Sequence, residues 1–276
     1  MAYELAPGAY ARVLPLIDGA PFRYSALVLR AMAAGTCPGQ IWVDDADHPA
    51  AALMWDQGGY YFLLGDADNN DFNSALARLI AEEVAPQAVG HGFGAFKVDY
   101  SPDGWAERVP AIFSTASLVE RERVCLALDG PPLTGWAGRI PDGYELRRVD
   151  SALLASLDAP SRAALTGEIA CCWRSTEDFL KQGFGFCVVR GEVLVAWSTA
   201  EYVSGRDTGI GIETKEEYRG RGFATAAAAA FVGHCLAHGL TPYWDSWRSN
   251  APSVAVGRKV GFRELLEYTV YLGRFE

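Results

Sequence analysis

Between residues 213 and 225 the chain reads Glu-Thr-Lys-Glu-Glu-Tyr-Arg-Gly-Arg-Gly-Phe-Ala-Thr. Gly220 and Gly222 permit positive φ and close approach of backbone, and Arg219 and Arg221 add full positive charges. A β-rich run, Thr208 to Glu213, leads in, and an alanine-rich run from Ala224 to about His238 predicts a helix. The first-turn N–H groups of that helix have no intrahelical acceptor, and its dipole puts partial positive charge there. Strand, glycine turn and helix N-terminus in this order make a cradle for a pyrophosphate. A Walker A loop needs Lys-Ser or Lys-Thr at its end, and none follows Gly222. The dinucleotide fingerprint needs a third glycine, which Phe223-Ala224-Thr225 does not supply. What remains is R-x-x-G-x-A, at Arg219, Gly222 and Ala224.

That pattern resembles the acyl-CoA loop of the GNAT acetyltransferase superfamily. Downstream, Asn250-Ala-Pro-Ser253 and Lys259-Val-Gly-Phe262 are similar to the superfamily's N-x-x-[AS] and K-x-G-F ending. Ile210 to Thr214, Tyr218 to Gly222, Cys235-Leu236 and Thr241 to Asp245 together resemble the branch that contains the zwittermicin A resistance acetyltransferase. The resemblance is strongest from Phe184 to Phe262. It implies acetyl-CoA as cofactor, held by Ile212, Glu213, Thr214, Arg219, Gly220, Arg221, Gly222, Phe223, Ala224, Thr225, Asn250 and Ser253. It also implies that a backbone N–H near Ile212 to Thr214 polarises the thioester carbonyl.

Transfer to an amine further requires a base, because a free alkylamine is mostly protonated at pH 7. Glu201, Glu213 and Asp245 are the candidates. Glu201 ends an apolar strand beside Tyr202; Asp245 lies in the aromatic run Tyr243 to Trp247, where it either binds the acceptor or makes a structural hydrogen bond. Glu213 suits a charge that complements the following helix. Trp173, Glu201, Asp245 and Trp247 are the candidate acceptor contacts, with core packing the competing role for the tryptophans. Many GNAT enzymes carry a tyrosine acid in the last helix, where this chain has Gly257; Ser253 is a candidate substitute. His234 and His238 stand four apart on one helix without a third ligand, so no metal is expected.

The chain of 276 residues, half of them hydrophobic, is long enough for two ordinary domains. Its net charge of −10 argues against nucleic acid as a partner. Residues 1–138 hold 8 Lys and Arg against 17 Asp and Glu, whereas residues 139–276 hold 16 against 17. An acidic first half either attracts cations or serves solubility. No apolar run approaches a membrane span, and the N-terminus lacks a leader pattern. Six cysteines without C-x-x-C spacing read as reduced thiols, which points to the cytoplasm. The oligomeric state is not set by the sequence.

The expected elements form a mixed α/β (α+β) sheet in two halves, 1–138 and 139–276. In the first, helices over Tyr3 to Ile17 and Phe22 to Ala34 precede strands Gln40 to Val43, Ala50 to Trp55 and Tyr60 to Leu64. A helix over Phe72 to Val84, a strand Phe93 to Tyr100, a turn or helix Gly104 to Ile112 and a strand Val119 to Leu128 complete it. That order is a GNAT order, but Gly65-Asp-Ala-Asp-Asn-Asn-Asp71 puts three aspartates where a pyrophosphate would lie. The first half is therefore expected to be a degenerate GNAT-like copy, the alternative being an unrelated cap. Asp129 to Gly138 reads as a linker. In the second half, Ser151 is the expected N-cap of a helix to Leu157, and Ala163 to Trp173 the next helix. The reading that follows is an acetyl-CoA-dependent N-acetyltransferase for a small cationic amine, such as an aminoglycoside-like or aminopolyol antibiotic. The competing reading is a non-catalytic acyl-CoA-binding module.

Overall fold

A computed structural model of the chain describes residues 1–17, 24–136 and 140–275. The chain forms two compact units, Met1–Arg123 with Tyr268–Glu276, and Val124–Glu267. The boundary falls inside a strand rather than near residue 138, and the last residues of the chain return to the first unit. Of the expected linker, Ala137 and Gly138 lie outside the described residues, as do Phe22 and Arg23 at the expected helix start.

The first unit contains β1 (Tyr3–Glu4), α1 (Tyr24–Ala34), β2 (Gln40–Val43), β3 (Ala51–Trp55), β4 (Tyr60–Gly65), α2 (Asn70–Leu79), α3 (Ala85–Gly90), β5 (Ala95–Ser101) and α4 (Val109–Ile112). The strand β6 (Ala116–Leu128) then carries the chain onward. The expected helix from Tyr3 is instead β1 followed by a 3-10 helix over Pro7–Ile17. Pro15 inside that run has no N–H to donate to an α-helical ladder. A π turn over Ile80–Val84 joins α2 to α3, so the helical segment runs past the expected Val84 to Gly90. β2, β3 and β4 pair antiparallel, and β4 and β5 pair in parallel from Tyr60↔Lys97 to Leu64↔Ser101. The core gathers Trp55, Tyr61, Phe72, Phe96, Trp105, Phe113 and Phe275.

The second unit contains β7 (Glu145–Arg148), α5 (Ser151–Ser156), α6 (Ala159–Ala170), α7 (Thr176–Gln182), β8 (Gly185–Arg190), β9 (Val193–Ser204), β10 (Asp207–Thr214), α8 (Phe223–His238), β11 (Thr241–Trp247) and α9 (Ala251–Lys259). The chain closes on a single long strand, β12 (Phe262–Phe275), whose end pairs with β5 in the first unit, Tyr271 opposite Val98. The cap of α5 is Asp150, whose Oδ1 accepts the Leu153 N–H at 2.7 Å, and Ser151 is the first helical residue. α6 begins at Ala159, four residues before the expected start, because Asp158 caps it and Pro160 presets the first turn. It ends at Ala170, short of Trp173.

In the sheet of this unit the strands run in the order β11, β10, β9, β8, β7. α8 lies against it through Ala228, Ala229, Phe231 and Val232, which meet Ala200, Ile210 and Trp244. The consecutive alanines Ala226 to Ala230 are all buried; they form helix readily and keep its axis close to the strands.

Candidate active site

The turn between β10 and α8 is built as its glycines require. Gly220 and Gly222 have φ of +76° and +82°, and a Cβ on either would meet nothing within 4 Å. Gly222 is the N-cap of α8 and offers no side chain to the helix. The first intrahelical bond runs from the Ala226 N–H to the Gly222 carbonyl at 3.0 Å, which leaves the N–H groups of Phe223, Ala224 and Thr225 facing outward. They border a cavity of about 630 Å³ that is also lined by Ile212, Glu213 and Thr214 of β10, Trp244 of β11, and Asn250, Ser253 and Lys259 at the two ends of α9. Arg219 braces the turn: its Nε donates to the Thr214 carbonyl and its Nη2 to Glu213 Oε1, both at 3.2 Å. Arg221 does not line the cavity; its guanidinium lies over the Tyr218 ring and 3.4 Å from the Tyr144 hydroxyl.

The cavity opens where two parallel strands part. β10 and β11 pair at Asp207↔Thr241, Thr208↔Pro242 and Gly209↔Tyr243, and the ladder stops there. On its other edge β10 is paired with β9 along its length. The Lys215 N–H donates to Val195 at 3.0 Å, which fixes the alternation: Glu213 and Gly211 bond to β9, and the N–H of Ile212 turns to the parted side. Thr214 Oγ1 is buried there without a partner. A turn with no Cβ at Gly220 and Gly222, a helix start with open donors, a strand N–H and an orphaned hydroxyl fit a pyrophosphate-bearing thioester.

The same registers sort the acid–base candidates. Residues opposite one another on paired strands share a face, so Trp197, Thr199 and Glu201 of β9 lie with Gly211 and Glu213 of β10. Asp245 and Trp247 of β11 fall on that face as well. It is the face away from α8, which takes Ala200 and Ile210. Glu201 is half-buried, and Tyr202 beside it holds φ of +48°, a backbone state rare for a bulky residue. Trp173 is placed for packing: its indole N–H donates to the Ala200 carbonyl at 2.8 Å and its ring meets Phe179 edge-on.

One residue here was not read from the sequence. Glu168 of α6 reaches the same face, and its Oε1 lies 2.7 Å from where a Cβ on Gly211 would stand, as does Glu201 Oε1. Burial pushes the Glu168 carboxyl above the ordinary glutamate range, the charge of Glu213 adds to that, and the Trp197 indole opposes it. The signal was positional. Ser161, Leu165 and Ile169 form the buried stripe of α6, and Glu168 stands in that stripe, seven residues after Ser161.

The place of the usual tyrosine acid is filled. The Trp244 ring covers Gly257, and a Cβ there would sit 3.3 Å from Trp244 Cδ2. The Trp244 indole N–H donates to Ser253 Oγ at 3.1 Å, and the Ser253 N–H to Asn250 Oδ1 at 3.3 Å. Ser253 Oγ, on the cavity wall, keeps its own proton to donate.

A mixed sheet with a parted parallel pair, and a glycine cradle opening one strand onto a helix, together define an acyl-CoA-dependent acyltransferase. The chain belongs to the GNAT acetyltransferase family, whose sequence profile matches residues 16–271. It is 29% identical over 236 residues, 86% of each chain, to the uncharacterized N-acetyltransferase YdfB of Bacillus subtilis (strain 168). A GCN5-related N-acetyltransferase-like protein from Streptococcus suis 89/1591 has the same fold, with a TM-score of 0.71, 23% identity, and coverage of 96% of this chain and 98% of that one. So does a tandem GNAT protein from the clavulanic acid biosynthesis pathway, at a TM-score of 0.65, 16% identity, and coverage of 100% and 98%. The protein is an N-acetyltransferase and its acyl donor is acetyl-CoA. Among the described residues, no helix is long and apolar enough to cross a membrane.

Proposed function

We propose that the enzyme acetylates a primary amine of a small cationic acceptor, an aminoglycoside-like or aminopolyol compound, as in resistance to zwittermicin A. The observation that carries this reading is the carboxylate-rich sheet face, where the strand registers bring Glu201, Glu213 and Asp245 together beside the parted strands. Acetyl-CoA supplies an activated acyl group as its thioester. Glu201 takes a proton from the acceptor ammonium and so frees the nitrogen lone pair. The Ile212 N–H receives the carbonyl oxygen as negative charge grows on it. As the C–S bond breaks, the nitrogen sheds its second proton, which passes to the departing sulfur through Ser253 Oγ, oriented by Trp244 and Asn250; a thiol of pKa about 8.5 can also leave as the thiolate, the proton then going to water.

The first unit supports the reading of a copy that has lost its cofactor. Its corresponding parallel pair stays zipped through Leu64↔Ser101 where the second unit parts after three residues. A Cβ on Gly65 would stand 2.1 Å from the Ala50 carbonyl oxygen, and Asp66 turns its Oδ1 back onto the Asp68 N–H.

The test is release of CoA thiol with a panel of aminoglycosides, polyamines, amino acids and a basic peptide, at low and high salt. Cationic small amines are expected to be best, with kcat/KM falling as salt rises. A neutral or acidic amine as best acceptor would refute the acceptor class.

A further inference from the structure

The buried side of the acceptor face carries a more specific pattern, whose interpretation rests on the acceptor reading above. Gly211 is fully enclosed, and its backbone is not left-handed, so it is glycine for reasons of space. A Cβ there would lie 2.7 Å from Glu168 Oε1, 2.7 Å from Glu201 Oε1 and 3.0 Å from Thr199 Oγ1. Real Cβ contacts of that length to oxygen essentially never occur. The two carboxylates, one from α6 and one from β9, thus converge over a bare stretch of backbone, within bridging reach of a single ammonium. Among the described residues Glu168 has no ion-pair partner. The nearby Glu213 is answered by Arg219 at 3.2 Å.

A second group points into the same spot. Trp197 is only 6% exposed, and its indole N–H has no acceptor at bonding distance and angle. It faces Glu168 closely enough to act on that carboxyl, without closing a hydrogen bond to it. A buried donor left open beside two carboxylates is costly unless something else occupies the space. What fits is a ligand that presents an ammonium to the carboxylates and an acceptor oxygen to the indole.

We propose that Glu168, Glu201 and Trp197 form the acceptor subsite for a vicinal amino alcohol, with the ammonium held between the two carboxylates over Gly211 and the neighbouring hydroxyl oxygen accepting from the Trp197 N–H. Glu168 is a specificity residue in this arrangement, and Glu201 remains the base. An α-amino acid is rejected, because its carboxylate would meet Glu168 where the hydroxyl should sit.

Three small amines of one shape separate the terms: serinol, with amine and hydroxyls; isopropylamine, without hydroxyls; and serine, with a carboxylate. Each is titrated into the full chain loaded with CoA and labelled with ¹³C at glutamate Cδ, the two signals being assigned from Glu168→Gln and Glu201→Gln. Serinol is expected to move both signals saturably, isopropylamine to do so more weakly, and serine to leave them in place. Loss of one charge-assisted hydrogen bond should weaken serinol in Glu168→Gln by about tenfold or more, with acetyl-CoA affinity unchanged. Trp197→Phe should erase the preference for serinol over isopropylamine while both still move the glutamate signals. A Glu168 signal that serinol leaves unmoved up to molar concentration overturns the proposal, as does a Glu168→Gln variant that binds serinol like the wild type. The two readings fail separately. If no cationic amine is acetylated but serinol binds as described, the acceptor reading falls alone. If cationic amines are acetylated and Glu168→Gln leaves their KM unchanged, the subsite falls alone.

Discussion

The cradle is tested by replacing Gly222 with aspartate and, separately, with asparagine. The position has φ of +82° at the N-cap of α8, so any side chain there carries a backbone cost of about 1 kcal/mol, smallest for Asn and Asp. That cost is common to both variants and cancels between them. A Cβ at Gly222 meets nothing within 4 Å, so the protein itself offers no clash to either side chain. What separates the two variants is one negative charge aimed into the cavity. Two unit charges 4 Å apart repel by about 1 kcal/mol in water and about 4 kcal/mol near a protein surface. Gly222 is exposed, which favours the lower part of that range. With two charges on a pyrophosphate, about 2–4 kcal/mol results, or about 30- to 1,000-fold in Kd. Calorimetry with CoA should show Gly222→Asp weaker than Gly222→Asn by that factor, and the gap should narrow in high salt. Matching melting profiles confirm that both fold. If the two variants bind CoA within twofold of each other at low salt, no phosphate lies at Gly222 and the cradle is misassigned.

Glu201→Gln should lower kcat by about two to four decades and leave CoA affinity intact, read by steady-state thiol release beside calorimetry. A variant with unchanged kcat would move the base to Asp245, Glu213 or water. A different consequence attaches to Asp56, which is 4% exposed and whose carboxyl burial pushes up to about 6, against hydrogen bonds from the Tyr60 and Gly58 N–H groups and the charge of Lys97. A carboxyl raised in the folded state lends stability that is whole below about pH 4 and is lost as pH climbs through about 6, by about 3 kcal/mol in all. Asp56→Asn keeps an Oδ1 for both N–H groups, and Lys97 keeps Asp99 at 3.9 Å. The variant should therefore resist urea better than wild type at pH 8 and equally at pH 4; a difference that does not change with pH would refute the account.

The cradle was legible because it is local. Glycines at 220 and 222, the arginines and the alanine run lie within one stretch, and the structure places nearly all of them where their types require. The sheet face was legible only in part. Glu201 and Asp245 stand on recognisable strands, but that they share a face with Glu213 follows from strand register, which depends on pairings far apart in sequence. Glu168 is helical in the expected and the observed element alike, but its approach to Gly211 is set by how α6 packs on the sheet. Asp158-Ala-Pro-Ser161 is a capping signal, and a helix begun there puts Glu168 on the buried stripe. The function of Gly257 was legible only as an absence; that Trp244 occupies its place is a matter of packing between β11 and α9. The stretch rich in Pro and Gly suggests a boundary near residue 138, whereas the two units divide inside a strand, between Arg123 and Val124.

Residues 268–276 belong to the same unit as residues 1–123, and all of the second unit lies between them in sequence. Tyr271 pairs with Val98, and its hydroxyl donates to Glu120 Oε1 at 2.8 Å, with the Ala106 carbonyl 3.1 Å away. During synthesis β5 therefore waits with an open edge until residues 124–267 have emerged, a reversal of the usual order in which the earlier unit finishes first. A chain that lacks residues from 268 onward keeps every residue of the cradle and of the proposed acceptor face, yet leaves β5 with an unpaired edge, and such an edge invites aggregation.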